Sequence, residues 1–146
     1  MKGIVNISEA ASLAFHAMAV LSSGEDGRFT SAGIAKTISS SEAHLSKVMR
    51  RLVLAGLVDS IRGPGGGFTL ARAPGEIRLL EIYEAVEGPL RAAECLMDDP
   101  CCRSSECIMA DLVTSINLEA REYLRSRNLS EYSDSCRLGR ASGEEG

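Results

Sequence analysis

Residues 57–72 read "LVDSIRGPGGGFTLAR". Four glycines and one proline stand between Arg62 and Phe68, with a short run of mixed apolar and polar residues on either side. Short runs of this kind bounded by Gly and Pro read as strands. Glycine supplies positive φ and proline fixes φ at a turn. Two uses of the glycines compete, a cradle for phosphate and a thin hairpin tip. A P-loop requires Gly-Lys-Ser/Thr opening a helix, and none follows here. The stretch is a β-hairpin.

Working outward, the segment before it predicts a helix over about 42–55, with Leu45, Val48, Met49, Leu52 and Val53 on one face and His44, Lys47, Arg50 and Arg51 largely on the other. Gly56 closes it as a C′ residue. "SSS" at 39–41 separates this helix from a shorter one, "TSAGIAKTI", capped by Thr30 or Ser31. Before a turn at 22–27, an N-terminal helix starts near Ser8 and carries Leu13, Ala14, Ala17, Met18 and Leu21 at helical spacing. After the hairpin, "IRLLEIYEAVE" (77–87) predicts an amphipathic helix ended by Gly88-Pro89. A cysteine-rich loop (91–107) and a long helix over about 108–126 follow, the helix striped by Leu112, Val113, Ile116, Tyr123 and Leu124. The expected fold is mainly α with a small β-hairpin wing: a winged helix–turn–helix over 1–74, a cysteine loop and dimerisation helix over 75–130, and a disordered polar tail over 131–146.

Bulk properties agree with a nucleic-acid partner. The net charge of −4 over 146 residues hides an asymmetry. Residues 1–74 carry eight Lys/Arg against five acids; residues 75–146 carry eight Arg against fifteen acids. A basic first half is the part suited to a polyanion. No stretch approaches the roughly 18 apolar residues of a membrane span, and the N-terminus lacks the form of a signal peptide. A cytoplasmic protein without a membrane partner is expected.

In a helix–turn–helix, the second helix enters the major groove with its N-terminal residues near base edges. Ser39, Ser40, Ser41, Glu42 and His44 are the candidates for base or phosphate contact there. Lys47, Arg50 and Arg51, together with Arg28, are candidates for phosphate. In the wing, Arg62, Gly63, Pro64, Gly65 and Gly66 form a tip thin enough to approach a minor groove. His16, inside the first helix, reads as a packing or surface residue.

Five cysteines complete the set: Cys95, Cys101, Cys102, Cys107 and Cys136. An odd count in a cytosolic chain argues for metal or redox chemistry rather than a disulfide framework. The spacing Cys95-x5-Cys101-x5-Cys107 is looser than the C-x2-C pairs of zinc ribbons. With two histidines, neither beside a cysteine, and no catalytic motif, the chain does not read as an enzyme.

The stretch "HLSKVMRRLVLAGLVDSIRGPGGGFTLARAPGEIRLLEIYEAVEGPL" (44–90), the opening "ISEAASLAFHAM" (7–18) and the three spaced cysteines together resemble the Rrf family of bacterial winged-helix transcription regulators, with its IscR-, NsrR-, RirA- and CymR-like members. The resemblance covers about residues 4–127. It implies a homodimer on a pseudo-palindromic double-stranded DNA operator, and an iron–sulfur cluster ligated by Cys95, Cys101 and Cys107. It leaves the fourth ligand open. Where IscR-like members have histidine three residues after the last cysteine, this chain has Ala110, then Asp111. Where NsrR-like members use a carboxylate of the partner's first helix, the matching position is Ser12, with Glu9 one turn earlier. Cys102 is a further candidate. Without that histidine the pattern leans to a four-iron over a two-iron cluster. Two alternatives stand beside this reading: a cluster-free regulator that senses thiol oxidation or a partner protein, and an iron–sulfur carrier. For the first reading the signal is redox poise, nitric oxide, oxygen or iron.

Overall fold

The computed structural model describes residues 5–24, 28–91, 95 and 107–134. Five α-helices and one hairpin are present among them: α1 (Glu9–Ser23), α2 (Ser31–Thr37), α3 (Glu42–Leu54), β1 (Val58–Ile61), β2 (Gly67–Leu70), α4 (Leu79–Glu87) and α5 (Ala110–Ser126). Single 3-10 turns lie at Pro74–Glu76 and Leu129–Tyr132.

The first three helices start where their side chains dictate. The Ala11 amide donates to Ser8 Oγ at 3.0 Å, Gly33 to Thr30 Oγ1 at 3.0 Å and His44 to Ser41 Oγ at 3.2 Å. Each cap satisfies an otherwise orphan helix N–H, which is worth about 0.5–2 kcal/mol. Helix α4 begins two residues later than its periodicity suggests. Pro74 opens a 3-10 turn, and Ile77 that follows is extended with φ −102° and ψ 111°.

Helix α1 is the centre of the core. Ala11, Ala14, Ala17 and Met18 have no exposed surface, and α3 and α4 pack against them. Leu45, Met49 and Leu52 of α3 and Ile82 of α4 are equally buried. The hairpin joins this core through Leu57 and Val58.

The hairpin pairs Val58 with Leu70, Asp59 with Thr69, Ser60 with Phe68 and Ile61 with Gly67. Phe29 adds a third, one-residue strand. Its amide donates to Phe68 O at 3.0 Å and its carbonyl accepts from Phe68 N at 2.8 Å. Gly67 makes this approach feasible: a Cβ there would stand 2.6 Å from Phe29 O, and its φ is +150°.

The chain after α5 returns to the core in a way that the sequence reading assigned in part to a tail. Leu129 is buried, its amide donates to Ile77 O at 2.9 Å, and the Leu79 amide donates to Arg127 O at 3.1 Å. Tyr132 packs against the core, so ordered structure runs past the expected boundary at 131. Residues 135–146, the rest of that tail, lie outside the described residues. Between α1, α5 and this return lies an apolar groove of about 450 Å³, lined by Phe15, His16, Tyr123, Leu124, Leu129 and Tyr132 among others.

Near the start of α4, Glu81 accepts from the Arg78 amide at 2.9 Å and from Arg72 Nη2 at 2.6 Å. Burial pushes its carboxyl up, but the Arg78 amide and the Arg72 guanidinium outweigh that and hold it below the usual carboxylate range. A depressed native value adds stability above the unfolded carboxylate pKa, and this stability is lost as pH falls through the native value. Glu81→Gln should therefore destabilise the protein slightly at pH 7, by no more than about 1 kcal/mol for a partly exposed pair. In thermal melts the difference from wild type should shrink as pH falls below the unfolded carboxylate pKa of about 4.3 and vanish once the native carboxyl is protonated. Gly67→Ala should cost about 1–3 kcal/mol and remove the hydrogen-exchange protection of the Phe29 and Phe68 amides.

Candidate nucleic-acid interface and cysteine segment

The outer face of α3 carries most of the polar residues singled out from the sequence. Leu45, Val48, Met49 and Leu52 are turned into the core, while Glu42, His44, Lys47 and Arg50 are exposed. Helix α2 stands beside it; Ser31 Oγ and Ser46 Oγ are 3.4 Å apart.

The three serines ahead of α3 have different situations. Ser39 is exposed and adopts φ +54°, the left-handed region, which turns the chain from α2 into α3. Ser40 Oγ is buried and has no hydrogen-bond partner among the described residues, while its amide donates to Ala35 O at 2.9 Å. Ser41 Oγ is occupied as the α3 cap. Of the three, only Ser39 presents an exposed side chain that is not part of the turn's own bonding.

His44 and Glu9, assigned separate roles from the sequence, stand together. His44 Nδ1 lies 3.3 Å from Glu9 Oε1, with their side chains 53% and 71% exposed. A pair this open to water adds little stability; it sets the start of α1 beside the head of α3. Arg51 is exposed like Lys47 and Arg50, but its guanidinium has a partner within the protein. Its Nη1 donates to Val86 O at the end of α4, at 2.7 Å.

In the wing, Arg62, Gly63, Pro64 and Gly65 are exposed and Gly66 is half-buried. The Gly66 amide donates to Gly63 O at 2.9 Å and closes the tip. A Cβ on Gly66 would stand 2.3 Å from Ile61 O, so this position admits no side chain. Much of the glycine content thus serves the tip's own geometry. Arg28 reaches across to it, donating from Nη1 to Gly65 O at 2.7 Å, which holds one cation against the wing.

Two of the cysteines are described. Cys95 is half-buried and lies five residues beyond Leu90; Cys107 is exposed, three residues ahead of α5. Cys101, Cys102 and Cys136 lie outside the described residues. Asp111 is exposed in the first turn of α5, and Ser12 is half-buried in α1. Among the described residues no three His, Cys, Asp or Glu side chains gather closely enough to hold one ion. The described thiols therefore bracket the segment on its two sides, one following α4 and one preceding α5.

What the sequence reading missed is the set of bonds at the exit of α4. Glu84 Oε1 accepts from the Leu90 amide at 3.0 Å, and Arg121 Nη1 of α5 donates to Leu90 O at 2.7 Å. Ser8 Oγ donates to Glu87 Oε1. No local pattern announces these contacts, because their partners are up to 79 residues apart.

Comparison with known proteins agrees with this architecture. The family profile described as "Rrf2: Iron-dependent Transcriptional regulator" matches residues 7–134. The HTH-type transcriptional regulator IscR of Xenorhabdus nematophila is 31% identical over 107 residues, covering 73% of this chain and 65% of that protein. A helix–turn–helix-type regulator of Neisseria meningitidis serogroup A is 36% identical over 87 residues, and the chain spans 59% of its length. Among solved structures, CymR, the global cysteine regulator of Bacillus subtilis, superposes with a TM-score of 0.75 at 29% identity over 90% of this chain and 98% of that one. The IscR structure from T. potens superposes with a TM-score of 0.70 at 22% identity over 98% and 95%, a likeness of fold. With a winged helix–turn–helix in place and the family profile matching residues 7–134, the chain belongs to the Rrf2 family of transcriptional regulators.

Proposed function

We propose that this chain is a homodimeric, DNA-binding transcription regulator whose operator affinity is set by the state of Cys95, Cys101 and Cys107. The observation that carries the DNA half is the head of α3: His44, Lys47 and Arg50 are exposed on one helix whose opposite face is fully buried. Base edges would be read by Ser39, Glu42 and His44, and phosphates by Lys47, Arg50 and Arg28. Arg62 and the glycine tip would approach the minor groove. Residues 1–74 act as the DNA-binding part, and residues 75–130 carry Cys95, Cys101 and Cys107 and the dimer helix.

Helix α5 supports the dimer. It buries only Val113, while Leu112, Leu118 and Tyr123 are 41%, 54% and 48% exposed. A second copy covering this face would also place two recognition helices on one duplex, with half-sites about 34 Å apart. Among the described residues no helix is long and apolar enough to cross a membrane.

The chemistry of the donors fits an iron–sulfur cluster, since thiolates are the preferred ligands of such clusters. Cys95, Cys101 and Cys107 would hold it, with a fourth ligand from Glu9, Ser12, Cys102 or Asp111; a four-iron cluster is favoured over a two-iron one. When bound, the group supplies a link between its ligands that is labile to oxidants or nitric oxide. The protein's own part is to connect that segment to α3. The similarity to CymR favours a second reading, in which the same cysteines sense thiol oxidation or a partner protein without a cluster.

Two experiments test these halves. With a duplex selected from a random-sequence pool by the wild-type protein, Lys47→Ala and Arg50→Ala should each weaken selected and random duplex alike. Each should also flatten the slope of log K against log salt by about 0.9. His44→Ala should instead lose about 1–3 kcal/mol of discrimination at one base pair. Unchanged affinity and specificity in all three would remove α3 as the recognition helix. For the cysteines, anaerobic purification should give a brown protein containing iron and sulfide, lost on Cys95→Ser, Cys101→Ser or Cys107→Ser and kept on Cys136→Ser. A colourless preparation with zinc or no metal by elemental analysis would overturn the cluster and leave the thiol- or partner-sensing reading.

A further inference from the structure

The end of α4 is held by three other helices at once. Ser8, the α1 cap, donates to Glu87; Arg51 of α3 donates to Val86 O at 2.7 Å; Arg121 of α5 donates to Leu90 O at 2.7 Å. The first cysteine, Cys95, follows five residues later in the chain.

The bonding here explains why an arginine is needed. The last carbonyls of a helix have no partner within it and carry the negative end of the helix dipole. Val86 O would ordinarily accept from the amide four residues on, at Leu90. That amide is instead given to Glu84 Oε1, because Gly88, with φ +82°, turns the chain out of the helix. Val86 O accepts from Arg51, a charged donor at the favourable end of the dipole. Arg51 sits on the same helix as the outward-facing Lys47 and Arg50. A displacement of the α4 exit therefore pulls directly on α3.

We propose that Arg51 is a positioning residue that couples the cysteine segment to the recognition helix, and not a phosphate contact. The proposal rests on the cysteine-controlled reading above. A change at the cysteines moves the chain at Leu90, the α4 exit follows, and Arg51 passes the shift to the seating of α3. Coupling of this kind is a difference in operator affinity between two states of the cysteines, and 5- to 150-fold is a usual range.

A double-mutant cycle tests it. Affinity for the selected duplex is measured for wild type, Cys107→Ser, Arg51→Gln and the double variant, with salt slopes for each. Cys107→Ser is expected to change affinity by at least about 5-fold in the wild-type background and by less than about 2-fold beside Arg51→Gln, since a signal that passes through Arg51 cannot then arrive. The salt slope of Arg51→Gln is expected to equal that of wild type. A merely structural role would weaken binding in both cysteine states and leave their ratio intact; that result overturns the proposal and leaves cysteine control standing. A slope flattened by about 0.9 with the ratio intact would return Arg51 to phosphate. If Cys107→Ser changes nothing in the wild-type background, both the coupling and the cysteine-controlled function fail. Arg51→Lys, which keeps the charge and shortens the reach to Val86 O, goes through the same cycle. It is expected to lose the ratio as well, and it serves as the test if Arg51→Gln does not fold.

Discussion

Close approach of helices to α1 is the constraint on which the other features depend. The chain has no tryptophan and only 4% aromatic residues, so few side chains are large enough to fill a wide interior. Protein interiors nonetheless reach crystal-like packing density. Here that density comes from Ala11, Ala14 and Ala17, which have no exposed surface and let α3 and α4 lie near the α1 backbone. A larger residue at any of these buried positions would cost about 1–3 kcal/mol for overpacking. Because α3 is one of those neighbours, its place is set in part by small residues in a helix that carries no Lys or Arg of its own.

The same arrangement brings functional candidates from distant parts of the chain to one end of the molecule. The start of α1 meets the end of α4 through Ser8 and Glu87, and the head of α3 through Glu9 and His44. Glu9, a candidate cluster ligand in the sequence reading, is therefore also the partner of a candidate base-reading residue. This juxtaposition supports a reading in which the cysteine segment and the DNA-binding surface share supports. Hydrogen bonds that join the α4 exit to α3 would give a modest difference in free energy at the cysteine segment a route to the proposed recognition helix.

The wing shows how a composition can be legible while its use is divided. Gly66 and Gly67 admit no Cβ because of Ile61 O and Phe29 O, so they answer first to the fold. Gly63 and Gly65 have positive φ with open space around them, so a side chain there would meet backbone strain rather than a neighbour. Arg28, whose guanidinium is bonded to Gly65 O, stiffens this tip and places a charge beside it, two roles that one side chain fills from outside the hairpin.

The sequence by itself determined the local features: helix starts at Ser8, at Thr30 or Ser31 and within 39–41, the buried stripe of α3, the glycine hairpin and the order of elements that identifies the fold. Each is set by residues within a turn or two of one another, so a linear reading reaches it. Ile77 was misread as helical because its apolar side chain fits the period, while the 3-10 turn at Pro74 and the pairing of its carbonyl with Leu129 hold it extended. Only the tertiary structure decided that Phe29 joins the hairpin, that Leu129 and Tyr132 pack with the core, and that Arg51 donates to Val86 O. An arginine on an amphipathic helix looks the same in sequence whether it faces phosphate or a carbonyl. What separates the two is an unpaired helix-end carbonyl 35 residues away, which exists only once α4 has been turned out at Gly88 and packed against α3.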